Sequence, residues 1–457
     1  MTLAQVAEAT GGTVTAGAPD TRVRGVAFDS RSLAPGELFV ALRGRRDGHA
    51  FVADAARAGA AGALVARPVD ADLPRVEVPD TLAALGALGR QARRRLGDRP
   101  VVGIAGSAGK TSTKDLLAGA MHPARRVHAS AESYNNEIGL PVTLCATPED
   151  AEVVVLEMGE RFPGDIARLC RIAQPGYGIV TNVGLAHAEH LGGPDGVAQV
   201  TAELLEVLPR SGLAVLNADD PRTPQLRRRS AAPVLLAGRH PAADVRISEV
   251  VVDERLRPTF RLDTPWGRLT TRLALRGAHQ VANAALATGV AGALGVPPEQ
   301  IAQGLAAVAP APWRMEVGRT PGGVVVCNDA YNASPAAVEA ALEALADLRV
   351  TGRRVAVLGP MLELGPYGAE AHAAVGRLAA VHGFVVVTVA DDGTIAAAAR
   401  QEGAEVHVVP DVDAAIEVLG PMLRAGDAVL VKASRAIGLE RIAAWLGSDA
   451  QVEATGR

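Results

Sequence analysis

The sequence predicts an α/β protein of three domains, with a phosphate-binding loop opening the central one. Three observations carry that prediction. Short apolar runs alternate with helical stretches from residue 101 to about 218 and again from about 314 onward, as buried parallel strands and their crossover helices do. The glycine-rich segment GIAGSAGKTSTK, Gly103 to Lys114, follows the first of those runs and leads into a helix. Finally, 457 residues exceed what a single hydrophobic core organises.

Residues 1–96 form a first unit in which helix and strand patterns mix: VRGVAF and ELFVAL read as strands, AFVADAARAGA as a helix and GALVA as another strand. The arginine-rich QARRRLGDRP closes it as a helix end and linker. Residues 97–312 hold VVGIA, EVVVLEM, YGIVTNV and LAVLNA, the strands of a central α/β domain. In PTFRLDTPWGRLTTRLAL the apolar positions alternate and the chain turns at Pro265-Trp266-Gly267, which predicts an appended antiparallel hairpin. Residues 313–457 repeat the α/β pattern through GVVVCNDA, RRVAVLG, FVVVTVA, EVHVVP and DAVLVKAS.

Composition narrows the function. A net charge of -4 and a pI near 6.2 give no electrostatic reason for a nucleic-acid partner, so a small molecule is expected instead. The three cysteines, Cys145, Cys170 and Cys327, lie far apart without the spacing of a zinc site or disulfide framework. No basic segment followed by a long apolar run opens the chain, and no run reaches 18 apolar residues. A cytoplasmic, monomeric protein without a membrane partner is the expectation. Lysine occurs only at 110, 114 and 432, every other basic residue being arginine, so these positions are ones where a compact ammonium matters.

The chemistry centres on the loop. Glycines at 103, 106 and 109 permit a tight turn whose backbone N–H groups face inward, and the following helix adds the positive end of its dipole. Gly106, Ser107, Ala108, Gly109, Lys110, Thr111 and Ser112 are thus candidates to hold ATP, with Lys110 reaching the phosphates and Thr111 ligating Mg2+. The spacing is GxxGxxGKT rather than the strict GxxxxGK[ST], because position 104 is isoleucine; a chance Lys-Thr pair after a glycine turn is the competing reading. Glu157 ends the apolar run VVVLE at the same sheet edge and is a candidate metal ligand and catalytic residue; the alternative is a carboxylate emerging into solvent. His187, four residues past YGIVTNV, is a second candidate metal ligand, or an inert loop histidine.

Beyond these motifs, an ordered series resembles the Mur ligases: DSR at 29–31, PGELFVAL, the GKTS loop, NNEIGLPVTL, LEMG, NVGLAH, NADDP, GAHQVANAALA, WRMEV, NDAYNASP, LGPMLELG and VKASRAIGLE. The resemblance covers nearly the whole chain. It implies a Mur ligase architecture of three domains: an N-terminal domain for a UDP-linked peptide precursor, a central P-loop ATPase domain, and a C-terminal Rossmann-like domain presenting the amine. Among family members, the motif set is most similar to those that join D-Ala-D-Ala to a UDP-MurNAc-tripeptide through an acyl phosphate in peptidoglycan synthesis. Carried over, Ser30 and Arg31 serve the UDP end, Asn135 and Asn136 the substrate, Asn283 adenine, and Arg314 and Asp329 the nucleotide from the hinge side. Lys432, Ser434 and Arg435 serve the amine or the closed interface. Tyr331 reads equally as a core or a site residue.

The chain also departs from the family pattern. Where the family usually has a lysine carbamylated to a carboxylate for a second magnesium, this sequence has Thr201, and no other lysine lies nearby. Glu160 stands where a small residue is usual, Ala188 and His190 alter the segment after AH, and Gln280 replaces an asparagine. Glu160 reads either as a replacement carboxylate or as a solvated loop residue. Two other functions follow from these changes: a paralogue making a different amide bond, or a precursor-binding protein without catalysis. A P-loop kinase would need neither the DSR unit nor VKASR. A folate-chain ligase lacks the first domain, and the related diaminopimelate or lysine ligase carries a DNPR motif absent here.

Overall fold

In the computed structural model, residues 1–131 and 133–447 are described, and they build three sheets along the chain. The first has five strands in the order Thr13–Ala16, Arg75–Glu77, Gly62–Val65, Leu38–Val40, Val26–Ala27, all parallel neighbours except the first pair. Its strands are two to four residues long, so the helices Leu3–Thr10 and Thr81–Arg95 supply much of what covers it. Thr2 caps the first helix reciprocally with Gln5.

Nine strands form the central sheet. Its parallel part runs Val245–Val252, Val234–Gly238, Leu213–Asn217, Tyr177–Val180, Val101–Ala105, Val153–Glu157, Val127–Ala129. Every residue of Val101–Ala105 and Val153–Glu157 is buried, as a strand covered on both faces requires. The expected hairpin is present: Pro258–Thr264 pairs antiparallel with Gly267–Arg272 and extends this sheet. One face packs under Lys110–Met121 and Gln280–Ala293, the other under Asp165–Ala173 and Pro194–Glu206. The third sheet orders six strands as Glu316–Arg319, Val325–Asn328, Ala428–Lys432, Arg354–Leu358, Phe384–Val389, Val406–Val409, with only the first pair antiparallel.

This topology fixes where chemistry can occur. The chain leaves Val101–Ala105 at the carboxyl edge of the central sheet, between two strands entered from different parts of the sequence, which is where open α/β sheets bind ligands. The helix that leaves this edge, Lys110–Met121, is set by a glycine contact. A Cβ on Gly304 of helix Pro298–Ala307 would lie 2.1 Å from the Gly119 carbonyl oxygen, so the two backbones touch directly. Helix propensity alone favours alanine over glycine by about 1 kcal/mol. Even so, Gly304→Ala is expected to cost about 1–3 kcal/mol through overpacking, seen as a lower denaturation midpoint. Gly318→Ala, where nothing lies within 4 Å, should leave the midpoint unchanged.

Candidate functional site

The carboxyl edges of the central and third sheets face each other across a cavity of about 1110 Å³. The loop after Val101–Ala105 forms its floor. Gly106 (φ 128°) and Gly109 (φ 78°) occupy the left-handed region, and a side chain at either would collide: 2.3 Å from Thr181 Oγ1 at Gly106, 2.7 Å from Asn283 Oδ1 at Gly109. The neighbouring strand end clamps the loop from outside. The Asn182 side-chain oxygen accepts from the Ala108 N–H (2.9 Å), its carbonyl accepts from the Ser107 N–H (3.1 Å), and the Thr181 hydroxyl donates to the Ala108 carbonyl (2.6 Å). Neither residue was singled out from sequence; their position at the end of YGIVTN, the adjacent strand, was the available signal.

Ser107 through Ser112 reach the cavity wall, whereas Gly106 does not. The Lys110 ammonium folds back to donate to the Gly106 carbonyl. Asn283 lies under Gly109, mostly buried, and donates to the Gln280 side-chain oxygen at 2.9 Å.

Thr111 and Glu157 meet as one unit. The Thr111 hydroxyl donates to Glu157 Oε2 (2.7 Å) and accepts from Arg314 (2.9 Å), while the Asn135 amide donates to Glu157 Oε1 (2.8 Å). At 2% exposure Glu157 is not a strand-end group emerging into solvent. Asn136 instead caps a backbone turn, accepting from the N–H groups of Ile138 (3.1 Å) and Gly139 (2.9 Å).

Nor is Glu160 a solvated loop residue. Its side chain is fully buried, lines the cavity and has no hydrogen-bond partner on either oxygen among the described residues; Lys110 is 3.7 Å away. Burial raises its pKa above the usual carboxyl value, against the opposing pull of the Lys110 charge. The Glu157 carboxylate, the Thr111 hydroxyl and room for phosphate oxygens form the hard-oxygen donor set that magnesium takes, and the orphaned buried carboxylate of Glu160 beside them fits a cation there. Among the described residues no cluster of three or more His, Cys, Asp or Glu is arranged to hold a metal ion by itself. Thr201 lies outside this cavity: it is fully buried in helix Pro194–Glu206, and its hydroxyl has no partner among the described residues.

His187 lines the cavity, and its Nδ1 is hydrogen-bonded to the Glu363 carboxylate, a group from the third unit that the motif reading did not single out. Burial lowers the His187 pKa, and the hydrogen bond to Glu363 opposes the shift. The opposite wall is built by Asp329, whose carboxylate accepts from the Met315 N–H (3.0 Å) and from the Lys432 ammonium (2.5 Å). Lys432 also donates to the Asn332 carbonyl (2.9 Å). Tyr331 faces the cavity and carries the Arg314 guanidinium 4.1 Å over its ring. Ser434 accepts from the Leu362 N–H (2.9 Å); Arg435 stacks 4.3 Å over Trp313 and pairs with Glu440 at 2.7 Å.

Ser30 and Arg31 are not brought to the cavity. Arg31 extends from the first unit, its side chain 87% exposed and paired with Asp29. Two residues before Ser30, Phe28 rests against Tyr134 with ring centroids 6.0 Å apart, so this segment adjoins the Asn135 end of the cavity.

Comparison with known proteins places these features in a family. Residues 104–291 match the Mur ligase middle domain and residues 313–435 the Mur ligase glutamate ligase domain. The chain is 39% identical, over 98% of both sequences, to the UDP-N-acetylmuramoyl-tripeptide--D-alanyl-D-alanine ligase of Mycobacterium bovis, and 34% identical to that of Bacillus subtilis over 92% of this chain and 93% of that one. Among solved structures it is similar to MurF from Acinetobacter baumannii, with a TM-score of 0.87, 29% identity, and coverage of 97% of this chain and 98% of that one. It is also similar to MurF from Thermotoga maritima in complex with ADP, with a TM-score of 0.77, 29% identity, and coverage of 95% and 98%.

The unpartnered carboxyl of Glu160 sets an expected pH signature. A folded-state pKa raised above the ordinary 4.5 means that the folded protein holds this proton more tightly than the unfolded chain. The stability it contributes is therefore present below pH 4.5 and is lost as pH rises through the folded value. Glu160→Gln, which cannot ionise, should melt higher than the parent without nucleotide or metal, by a margin that grows as pH rises above 4.5. Scanning calorimetry at pH 5 and pH 8 reads it; a margin identical at both would show that this carboxyl does not titrate differently on folding.

Proposed function

This chain belongs to the Mur ligase family, and from that membership we propose that its cavity joins the amine of D-Ala-D-Ala to the terminal carboxylate of a UDP-MurNAc-tripeptide, converting ATP to ADP and phosphate. The observation that carries the reading is full-length similarity, at 39% identity over 98% of both chains, to ligases named for that reaction. As an ATP-dependent ligase forming a carbon–nitrogen bond, it has one activation and one transfer to perform.

The peptide carboxylate attacks the γ-phosphorus of ATP, ADP leaves, and an acyl phosphate results. The dipeptide's neutral amine then adds to the acyl carbon, phosphate departs, and the nitrogen gives up a proton. Positioning and charge neutralisation carry most of such a reaction. The loop's N–H groups cradle the phosphates, and Lys110 swings from the Gly106 carbonyl to meet the charge that develops on them. Thr111, Glu157 and His187 would hold magnesium, which would supply positive charge against the charge of the phosphates. We assign Asn283 to the adenine side, and Arg314 and Asp329 to the nucleotide from the third unit. The proximity of Phe28 to Tyr134 supports a precursor that runs from Ser30 and Arg31 toward Asn135 and Asn136. Lys432, Ser434 and Arg435 then receive the amine substrate.

This assignment divides the chain at 1–96, 97–312 and 313–457 into precursor-binding, ATPase and amine-presenting domains. The protein works as a cytoplasmic monomer on small molecules, without a nucleic-acid partner; no helix among the described residues is long and apolar enough to cross a membrane. The intact Lys110, Thr111 and Glu157 set argues against a binding protein without catalysis, and the full-length match argues against a different amide bond.

Phosphate release is expected only when both UDP-MurNAc-tripeptide and D-Ala-D-Ala accompany ATP and magnesium. Lys110→Ala should lower kcat/KM about 10³-fold or more. Silence with both substrates, or equal release with the precursor alone, would count against the reaction named here.

A further inference from the structure

We propose that Glu363 is a positioning residue for the cation site: it fixes His187 across the boundary between the central and third units, so that the site is complete only when the third unit is seated. The proposal deepens the function above and rests on its reading of His187 as a ligand of the nucleotide-bound cation.

Glu363 belongs to the LGPMLELG segment, between strand Arg354–Leu358 and helix Gly368–Val381. Its carboxylate crosses to the central unit and takes one partner on each oxygen: Arg161 donates to Oε1 at 2.7 Å, and His187 Nδ1 is bonded to Oε2. His190 Nε2 stands 3.9 Å from Oε2, and the Glu189 N–H donates to the Glu363 carbonyl at 3.1 Å. Both His187 and Glu363 adopt a backbone conformation that side chains rarely take, φ 58° and φ 62°. Each such residue costs of order 1–3 kcal/mol and persists only where its surroundings enforce it. Here two of them meet in the cavity wall.

The chemistry of imidazole supplies the consequence. A carboxylate on Nδ1 selects the tautomer with its proton there, which leaves the lone pair on Nε2 available to a metal. His187 lines the same cavity as Lys110, Thr111 and Glu157, so its orientation bears on where that lone pair points. Because the orienting carboxylate comes from the third unit, cation affinity becomes linked to the seating of that unit. The competing account is a plain ion-pair clamp through Arg161, which would hold the units together without tuning His187.

Titration of Mn2+ into the full-length protein with a non-hydrolysable ATP analogue, followed by electron paramagnetic resonance, separates the two. Glu363→Ala should weaken Mn2+ binding about 10-fold or more, and Glu363→Gln, which keeps the size and can still accept from Nδ1, should fall between it and the parent. Arg161→Gln should bind Mn2+ as the parent does. Mn2+ binding unchanged in both Glu363 variants while His187→Ala binds weakly would overturn the positioning role and leave His187 as a ligand. Unchanged binding in His187→Ala would overturn both readings. An equal loss in Arg161→Gln would favour the clamp and defeat the proposal.

Discussion

The site depends on one constraint: Glu157 is a carboxylate buried at the end of a strand whose every residue is inside the protein. Its two oxygens are met by neutral donors, the Thr111 hydroxyl and the Asn135 amide, and its own N–H is bonded to the Ser130 hydroxyl at 3.2 Å. Neutral hydrogen bonds hold a buried carboxylate in place without cancelling its charge, so a cation placed beside it gains an interaction that water would screen. Arg314 touches the same group only through Thr111. The third unit is thus tied to the phosphate loop at the atom that would also contact the cation.

That tie explains why two sheets, rather than one, make the cavity. The central sheet alone offers a loop rich in N–H donors and a buried acid, which suffices to bind a nucleotide. Transfer to an amine requires a second wall close enough to hold the nucleophile and exclude water, and the carboxyl edge of the third sheet supplies it. Arg314 on Tyr331, Lys432 on Asp329 and Glu363 on His187 are the bonds that define this wall. Arg314 also reaches Thr111, and Glu363 reaches His187, so both tie this wall to the central unit.

How much of this was legible in the sequence depends on the range of the interaction. Strands such as Val101–Ala105 and Phe384–Val389 are continuous apolar runs with their own boundaries, and Gly106 and Gly109 announce a turn by residue type alone. The first unit was harder to read because Val26–Ala27 and Leu38–Val40 are too short to set a period, and because Thr13–Ala16 and Arg75–Glu77 carry mixed side chains that only their pairing makes a ladder. Position at or just past the ends of the apolar runs VVVLE and YGIVTNV led to Glu157 and His187. Glu363 sits within a recognised motif, yet its partner lies 176 residues away, and nothing local distinguishes it from a surface glutamate. For Glu160 the residue type was visible, but its burial beside Lys110 was not.

Lysine usage shows how physical chemistry can select residues against a compositional bias. In a chain that writes nearly all its basic residues as arginine, the three lysines all lie at the site or brace it. Lys110 lines the cavity. Lys114 is buried and donates to the Ser130 carbonyl at 2.7 Å, and Ser130 in turn binds the Glu157 N–H, so this ammonium supports the strand end that carries the acid. Lys432, 2% exposed, directs one nitrogen at three oxygens: the Asp329 carboxylate, the Asp329 carbonyl and the Asn332 carbonyl. A planar guanidinium spreads its donors along a fork, whereas a single ammonium can satisfy acceptors that converge on a point. Lys432 is the position where the acceptors converge on one nitrogen, and there a point donor fits where a fork would not.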